Sequence, residues 1–144
     1  MLTCTRRLEF DAAHRVFRHE SKCASLHGHR YVVEVTCRAP KLDSVGRIVD
    51  FGVIKERLGK WIDDHWDHTT LVSCEDTDLM EWCRNQHEKH GKRAPYPFPG
   101  EPTAENIAEH LYRIATDMLR TSDVSVAKIR VYETPNCYAD FEAS

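Results

Sequence analysis

Along the chain the spacing of apolar positions changes several times, and each change marks an element. Residues 2–12 form a β-rich run carrying Leu2, Leu8 and Phe10 and ending in Asp11-Ala-Ala-His14, which reads as a strand running into a loop. Residues 15–25 are polar and basic. The run His29-Arg-Tyr-Val-Val-Glu-Val-Thr-Cys-Arg38 is then dense in β-branched and aromatic residues and is the clearest strand in the chain. Residues 39–46 contain Pro, Asp, Ser and Gly, a turn composition, and lead into a short extended piece at Arg47-Ile-Val. From Asp50, a candidate N-cap, the residues Phe51, Ile54, Leu58, Trp61 and Ile62 recur at helical spacing to Asp64. A second helix is expected after Pro102-Thr103, where Ile107, Leu111, Ile114, Ala115, Met118 and Leu119 make a continuous apolar stripe. Residues 125–133 and 136–141 predict two further strands, joined at Thr134-Pro135 closely enough for a hairpin.

Between the two helices, residues 73–100 look like an insertion, with an acidic start (Glu75-Asp-Thr-Asp78), a short helical piece to His90 and a proline-rich tail. Segments of this length are usually functional or flexible. The element order is therefore ββααββ. It predicts an α+β fold, a four-stranded antiparallel sheet with two helices on one face, in a single domain over residues 1–144 with the insertion at about 73–100.

Composition narrows the functional classes. The 144 residues carry 20 Lys and Arg against 23 Asp and Glu, a formal charge of −3, with 41% hydrophobic and 30% charged residues. These are ordinary globular values and exclude disorder as the main theme. Apolar runs such as residues 51–54 fall far short of the roughly 20 residues that a spanning helix needs. The start, Met1-Leu-Thr-Cys-Thr-Arg-Arg, lacks the apolar stretch of a signal peptide. A cytoplasmic protein without a membrane partner is expected. There is no basic block to mark nucleic acid as the main partner. The six cysteines, without a secretion signal, are expected to be reduced thiols rather than a disulfide framework.

Thiols and nine histidines are thus the available chemistry. His27-Gly28-His29 enters the second strand, and residues two apart on a strand point to the same side, so both imidazoles can converge on one ion. Gly28 would leave the approach uncrowded. His14 ends the first strand and would lie beside the pair if the two strands are antiparallel neighbours. Three imidazoles with one open position is the arrangement of a catalytic zinc.

Taken alone, a His-x-His is more often a polar strand edge, but Cys23 lies four residues before His27 in surroundings unlike a core site. A thiol near a cation is readily made a thiolate, which could act as a base or a nucleophile. Asp67-His68 pairs a carboxylate with an imidazole, which suits proton transfer near neutral pH, although the neighbouring Asp64 and His65 could mimic it. Glu133 closes the third predicted strand, and a carboxylate accepting two parallel N–H bonds would fit the amino and ring N–H groups of a pterin or guanine. A competing metal set, Cys74, Cys83, His87 and His90, has a first spacing unlike that of structural zinc sites and reads better as a polar helix face.

Together, Phe10-Asp-Ala-Ala-His14, Cys23-Ala-Ser-Leu-His-Gly-His29, Asp67-His68 with Leu71, Pro102-Thr-Ala-Glu-Asn106 and Val131-Tyr-Glu-Thr134 resemble the 6-pyruvoyl-tetrahydropterin synthase family, in family order over most of the chain. The three residues between Cys23 and His27 resemble the bacterial branch that makes 6-carboxy-5,6,7,8-tetrahydropterin for queuosine and other 7-deazapurines. Biopterin enzymes of eukaryotes have a longer gap there, and a related folate-linked branch has Glu at the cysteine position.

The resemblance implies the tunnelling fold and a homohexamer built as a dimer of trimers, with sites between subunits. It also implies the substrate 7,8-dihydroneopterin triphosphate, a carbon–carbon lyase reaction, and acetaldehyde and triphosphate as coproducts. His14, His27 and His29 would hold Zn2+, Cys23 would be the general base, Asp67 and His68 would handle the complementary proton transfers, and Glu133 would anchor the pterin ring. Residues 73–100 are longer than expected for compact bacterial members and would form a lid or subunit contact. The ending Thr69-Thr-Leu-Val72 also departs from the usual family pattern. Three alternatives use the same residues. The first is 6-pyruvoyl-tetrahydropterin formation without loss of the two-carbon fragment. The second is a non-catalytic pterin- or purine-binding protein. The third is a structural zinc module with Cys23 as fourth ligand.

Overall fold

The computed structural model describes residues 1–144. Strands β1 (Thr3–His14) and β2 (His27–Arg38) pair antiparallel over their whole length, from Thr3 opposite Arg38 to His14 opposite His27. Burial sets this register. Leu8, Phe10, Ala12 and His14 on β1 and Tyr31, Val33, Val35 and Cys37 on β2 are buried, and a slip of one residue would turn that whole set to the other face. Strand β2 also pairs antiparallel with β5 (Ser125–Thr134), and β5 with β6 (Cys137–Glu142).

The sheet has six strands, in the order β4-β3-β1-β2-β5-β6, and not the four predicted. Strand β3 (Thr69–Ser73) runs parallel to β1, and β4 (Tyr96–Phe98) runs parallel to β3, so the sheet is mixed rather than antiparallel throughout. Both added strands are short, and Pro97 sits in the middle of β4. A sheet tolerates proline at an edge, where no ladder hydrogen bond is lost, and β4 is the edge strand. Between them runs α2 (Thr77–His90), 14 residues where a short helical piece was expected. Asp76 caps it by accepting from the Leu79 N–H, and Gly91 ends it in the left-handed region at φ 63°. The extended piece expected at Arg47-Ile-Val joins no ladder; Ile48 is buried in the core instead.

Helix α1 covers residues 51–65, with a π-helical turn at Lys55–Gly59 between α-helical Phe51–Ile54 and Lys60–His65. Its N-cap is Asp50, whose carboxylate accepts from the Gly52 N–H. Helix α3 (Ala104–Leu119) is capped by the Thr103 hydroxyl, which accepts from the Asn106 N–H. Ile54, Leu58 and Ile62 of α1 and Ile107, Leu111 and Ala115 of α3 join Phe10, Tyr31 and Val33 in one core, so these two helices share a face of the sheet. Helix α2 does not. Its Leu79, Met80 and Cys83 pack on Val72, while the next residue back, Leu71, belongs to the main core. Strand alternation therefore places α2 on the opposite face, along the β3 edge. No helix is long and apolar enough to cross a membrane.

Candidate active site

The antiparallel register sets His14 directly opposite His27, and places His29 two residues further along the same face of β2. The three rings lie edge to face, with centroids 4.7 Å apart for His14 and His27, 4.8 Å for His27 and His29, and 5.2 Å for His14 and His29. One ring nitrogen from each lies within 4.8 Å of the others.

Hydrogen bonds fix two of the tautomers. His14 Nδ1 is 2.7 Å from the Pro102 carbonyl and His27 Nδ1 is 2.6 Å from the Ser25 carbonyl. A carbonyl only accepts, so both Nδ1 atoms carry the proton and both Nε2 atoms present a lone pair. Those two Nε2 atoms stand 3.1 Å apart, and two lone pairs at that distance repel unless a cation lies against them. His29 Nε2 is buried with no partner. Protonation of His14 is disfavoured, because burial, with the His27 and His29 rings adding to it, lowers its pKa to about 4 despite the bond to Pro102. The donor set therefore fits a divalent metal bound by neutral imidazoles, each oriented by a main-chain acceptor behind it.

Glu133 comes to the same place from β5. Its Oε1 lies 4.0 Å from His14 Nε2. Burial raises its pKa and the Glu105 carboxylate raises it further, against the His27 ring and the Ala104 N–H at the start of α3. Tyr31, not singled out in the sequence, completes the inner wall. Its ring lies 5.4 Å from His29 and 5.9 Å from His14, and its hydroxyl is buried without a partner. The signal for Tyr31 was its place two residues after His29 on the same strand face, hidden by the ordinary use of tyrosine as a core residue.

Asp67 and His68 form a close pair, His68 Nδ1 lying 2.9 Å from Asp67 Oδ2. Asp67 Oδ1 accepts from the Asp11 N–H at 2.9 Å, and the His68 N–H donates to the Asp11 carbonyl at 2.6 Å. Burial opposes ionisation of Asp67, but the Asp11 N–H and the His68 ring together hold its carboxyl below the usual carboxylate range. His68 has φ 58°, a left-handed conformation uncommon outside glycine. Its ring borders a depression of about 440 Å³ with Asp11, Ala13, Gly28 and Thr70. Asp11 and Ala13 alternate with the buried Phe10, Ala12 and His14, so the pair lies on the opposite sheet face from the three histidines.

That depression is bordered by Gly28 and also by His29, but Gly28 alternates with His27 and His29 and so points to the sheet face away from their rings. A Cβ there would meet the Ala12 carbonyl at 3.5 Å, ordinary contact, so the glycine is not what keeps the approach to the imidazoles open.

Cys23 is half-buried on a short 3-10 turn (Lys22–Ala24) in the β1–β2 connection. Its thiol is not among the atoms grouped with the three histidine nitrogens. The second cysteine-histidine set does not assemble. Cys74 is exposed, Cys83 is buried in the α2 contact, and His87 Nδ1 donates to the Lys92 carbonyl at 2.6 Å. All six cysteines are free thiols.

Residues 3–144 match the family described as 6-pyruvoyl tetrahydropterin synthase. The chain is 41% identical over 141 residues to the 6-carboxy-5,6,7,8-tetrahydropterin synthase of Rickettsia conorii, covering 97% of this chain and 99% of that protein. It is 28% identical over 152 residues to the protein of the same name from Aquifex aeolicus, covering 92% of this chain and 93% of the relative. Among solved structures, an uncharacterized Wolinella succinogenes protein superposes with a TM-score of 0.84 at 20% identity, over 99% of this chain and 98% of that one. The Caenorhabditis elegans 6-pyruvoyl tetrahydropterin synthase does so with a TM-score of 0.69 at 21% identity, over 99% and 96%. These two likenesses show the fold.

Proposed function

The chain belongs to the 6-pyruvoyl tetrahydropterin synthase family, and from that premise we propose that it is a 6-carboxytetrahydropterin synthase. It takes 7,8-dihydroneopterin triphosphate and one water to 6-carboxy-5,6,7,8-tetrahydropterin, acetaldehyde and triphosphate, as a carbon–carbon lyase of queuosine and 7-deazapurine synthesis in the cytoplasm. The observation that carries this reading is the convergence of three lone-pair-bearing imidazoles with the Glu133 carboxylate on one sheet face. A binder of pterin alone would need the carboxylate but not the metal set.

Under this reading His14, His27 and His29 hold Zn2+, which when bound supplies Lewis-acid polarisation of the substrate side-chain oxygens. Glu133 accepts two parallel N–H bonds from the pterin and so fixes which end of the substrate reaches the histidines. The Tyr31 hydroxyl, buried beside them, donates to whatever oxygen or water is seated there. Cys23, as thiolate, takes the proton whose removal opens the reaction, and the Asp67–His68 pair moves the complementary one. Because that pair lies on the other face of the sheet, the working site draws it from a second copy of the chain, which agrees with a homo-oligomer, a dimer of trimers, having its sites between subunits.

The test is mass analysis of the pterin formed when zinc-loaded protein is incubated with 7,8-dihydroneopterin triphosphate. The expected product is 6-carboxytetrahydropterin, absent with Cys23→Ala while zinc stays bound. A 6-pyruvoyl product overturns the reading in favour of the biopterin reaction, and tight substrate binding without any product leaves a binding protein.

A further inference from the structure

Residues 74–76, the segment between β3 and α2, close onto the connection between β1 and β2. Arg15 Nε donates to Asp76 Oδ2 and Arg15 Nη2 to Asp76 Oδ1, both at 2.6 Å, and the Asp76 side chain is only 4% exposed. This is a two-pronged charge pair of high geometric specificity, and lysine could not reproduce it. Arg18 pairs with Glu75 one position away.

From this anchor the geometry runs to Cys23. Arg15 is followed by Val16, whose N–H donates to the Cys23 carbonyl at 2.9 Å, and the Val16 carbonyl accepts from the His19 N–H at 2.8 Å. The 3-10 turn is closed by Ala24 N–H to the Ser21 carbonyl and Ser25 N–H to the Lys22 carbonyl, both at 3.0 Å. On the far side, the Ser25 carbonyl accepts from His27 Nδ1. The Cys23 backbone is thus tied to Val16, next to Arg15, and the turn that carries it is closed at Ser25, the residue whose carbonyl orients His27. A connection of this length without such ties would let the thiol sample many positions.

We infer that Arg15 and Asp76 are positioning residues, a clamp between the β3–α2 segment and the β1–β2 connection that fixes the backbone carrying Cys23. The role of the thiol itself rests on the reading under Proposed function. The acidic start of the 73–100 segment then acts on the site from within the same chain, through geometry and without touching substrate.

Asp76→Asn tests this, because asparagine keeps the cap on α2 but loses the charge pair. Arg15→Lys is the second variant, keeping the charge and losing the fork. Each is made in the full chain. The metal-free protein is alkylated with iodoacetamide, and the rates are followed peptide by peptide, with exposed Cys137 on β6 as internal reference. Turnover of 7,8-dihydroneopterin triphosphate by the zinc-loaded protein is measured alongside. The clamp predicts several-fold faster alkylation of Cys23 with Cys137 unchanged, and kcat lower by about tenfold to a hundredfold at nearly constant KM. Unchanged Cys23 alkylation overturns it, as does a parallel rise at Cys23 and Cys137 or a Cys23 rise with unaltered kcat. Full turnover by Cys23→Ala would instead overturn the role given to the thiol, while the alkylation rates still decide whether the clamp holds the connection.

Discussion

His14 and His27 each donate their Nδ1 proton to a main-chain carbonyl, and this one detail leaves the two Nε2 lone pairs facing each other. Gly28, between two of the three histidines in sequence, points away from them. The expected outcome is therefore asymmetric. His27→Ala loses zinc on dialysis against weak chelator, whereas Gly28→Ala keeps one zinc per chain by elemental analysis; loss of zinc from Gly28→Ala would contradict the face assignment. His27 and His29 were legible as a pair because strand alternation is a period-2 rule that needs no tertiary information, whereas His14 joins them only through the antiparallel pairing of β1 with β2. Tyr31 was not, since an aromatic at a core position looks the same whether or not its hydroxyl has a partner. Nor was the separation of Asp67 and His68 from the histidines, because it depends on β3 pairing parallel with β1.

Among the elements, the four antiparallel strands and the two capped helices α1 and α3 followed from apolar periodicity and from the caps at Asp50 and Thr103. What the sequence hid was the edge. Strand β4 is three residues around Pro97, and α2 buries only a narrow stripe at Leu79, Met80 and Cys83, too little to stand out against its charged surface. Asp76 links that edge to the site, and its ionisation gives a measurable signature. The Arg15 hydrogen bonds hold its carboxyl below the ordinary value of 3.8, outweighing burial. The folded chain therefore binds fewer protons than the unfolded chain in acid, so the stability from the pair is present above this range and lost as pH falls through the folded pKa. Asp76→Asn should cost roughly 1–3 kcal/mol at neutral pH. In urea unfolding the gap between variant and parent should narrow at pH below 3.8. A gap that stays constant with pH would mean that the carboxylate charge contributes nothing.

At the scale of the whole molecule, one chain holds the histidine cluster with Glu133 on one face of the sheet and the Asp67–His68 pair on the other. Two inactive variants should then complement each other. Glu133→Ala and His68→Ala, unfolded together and refolded, are expected to recover a fraction of parental turnover, since some mixed sites combine an intact cluster with an intact pair; no recovery would place the whole site within one chain. The central claim concerns which bond the molecule breaks, and the ratio of acetaldehyde to triphosphate released from 7,8-dihydroneopterin triphosphate by the zinc-loaded protein tests it most directly. The account predicts equal amounts of the two throughout the reaction, and triphosphate released without acetaldehyde would contradict it.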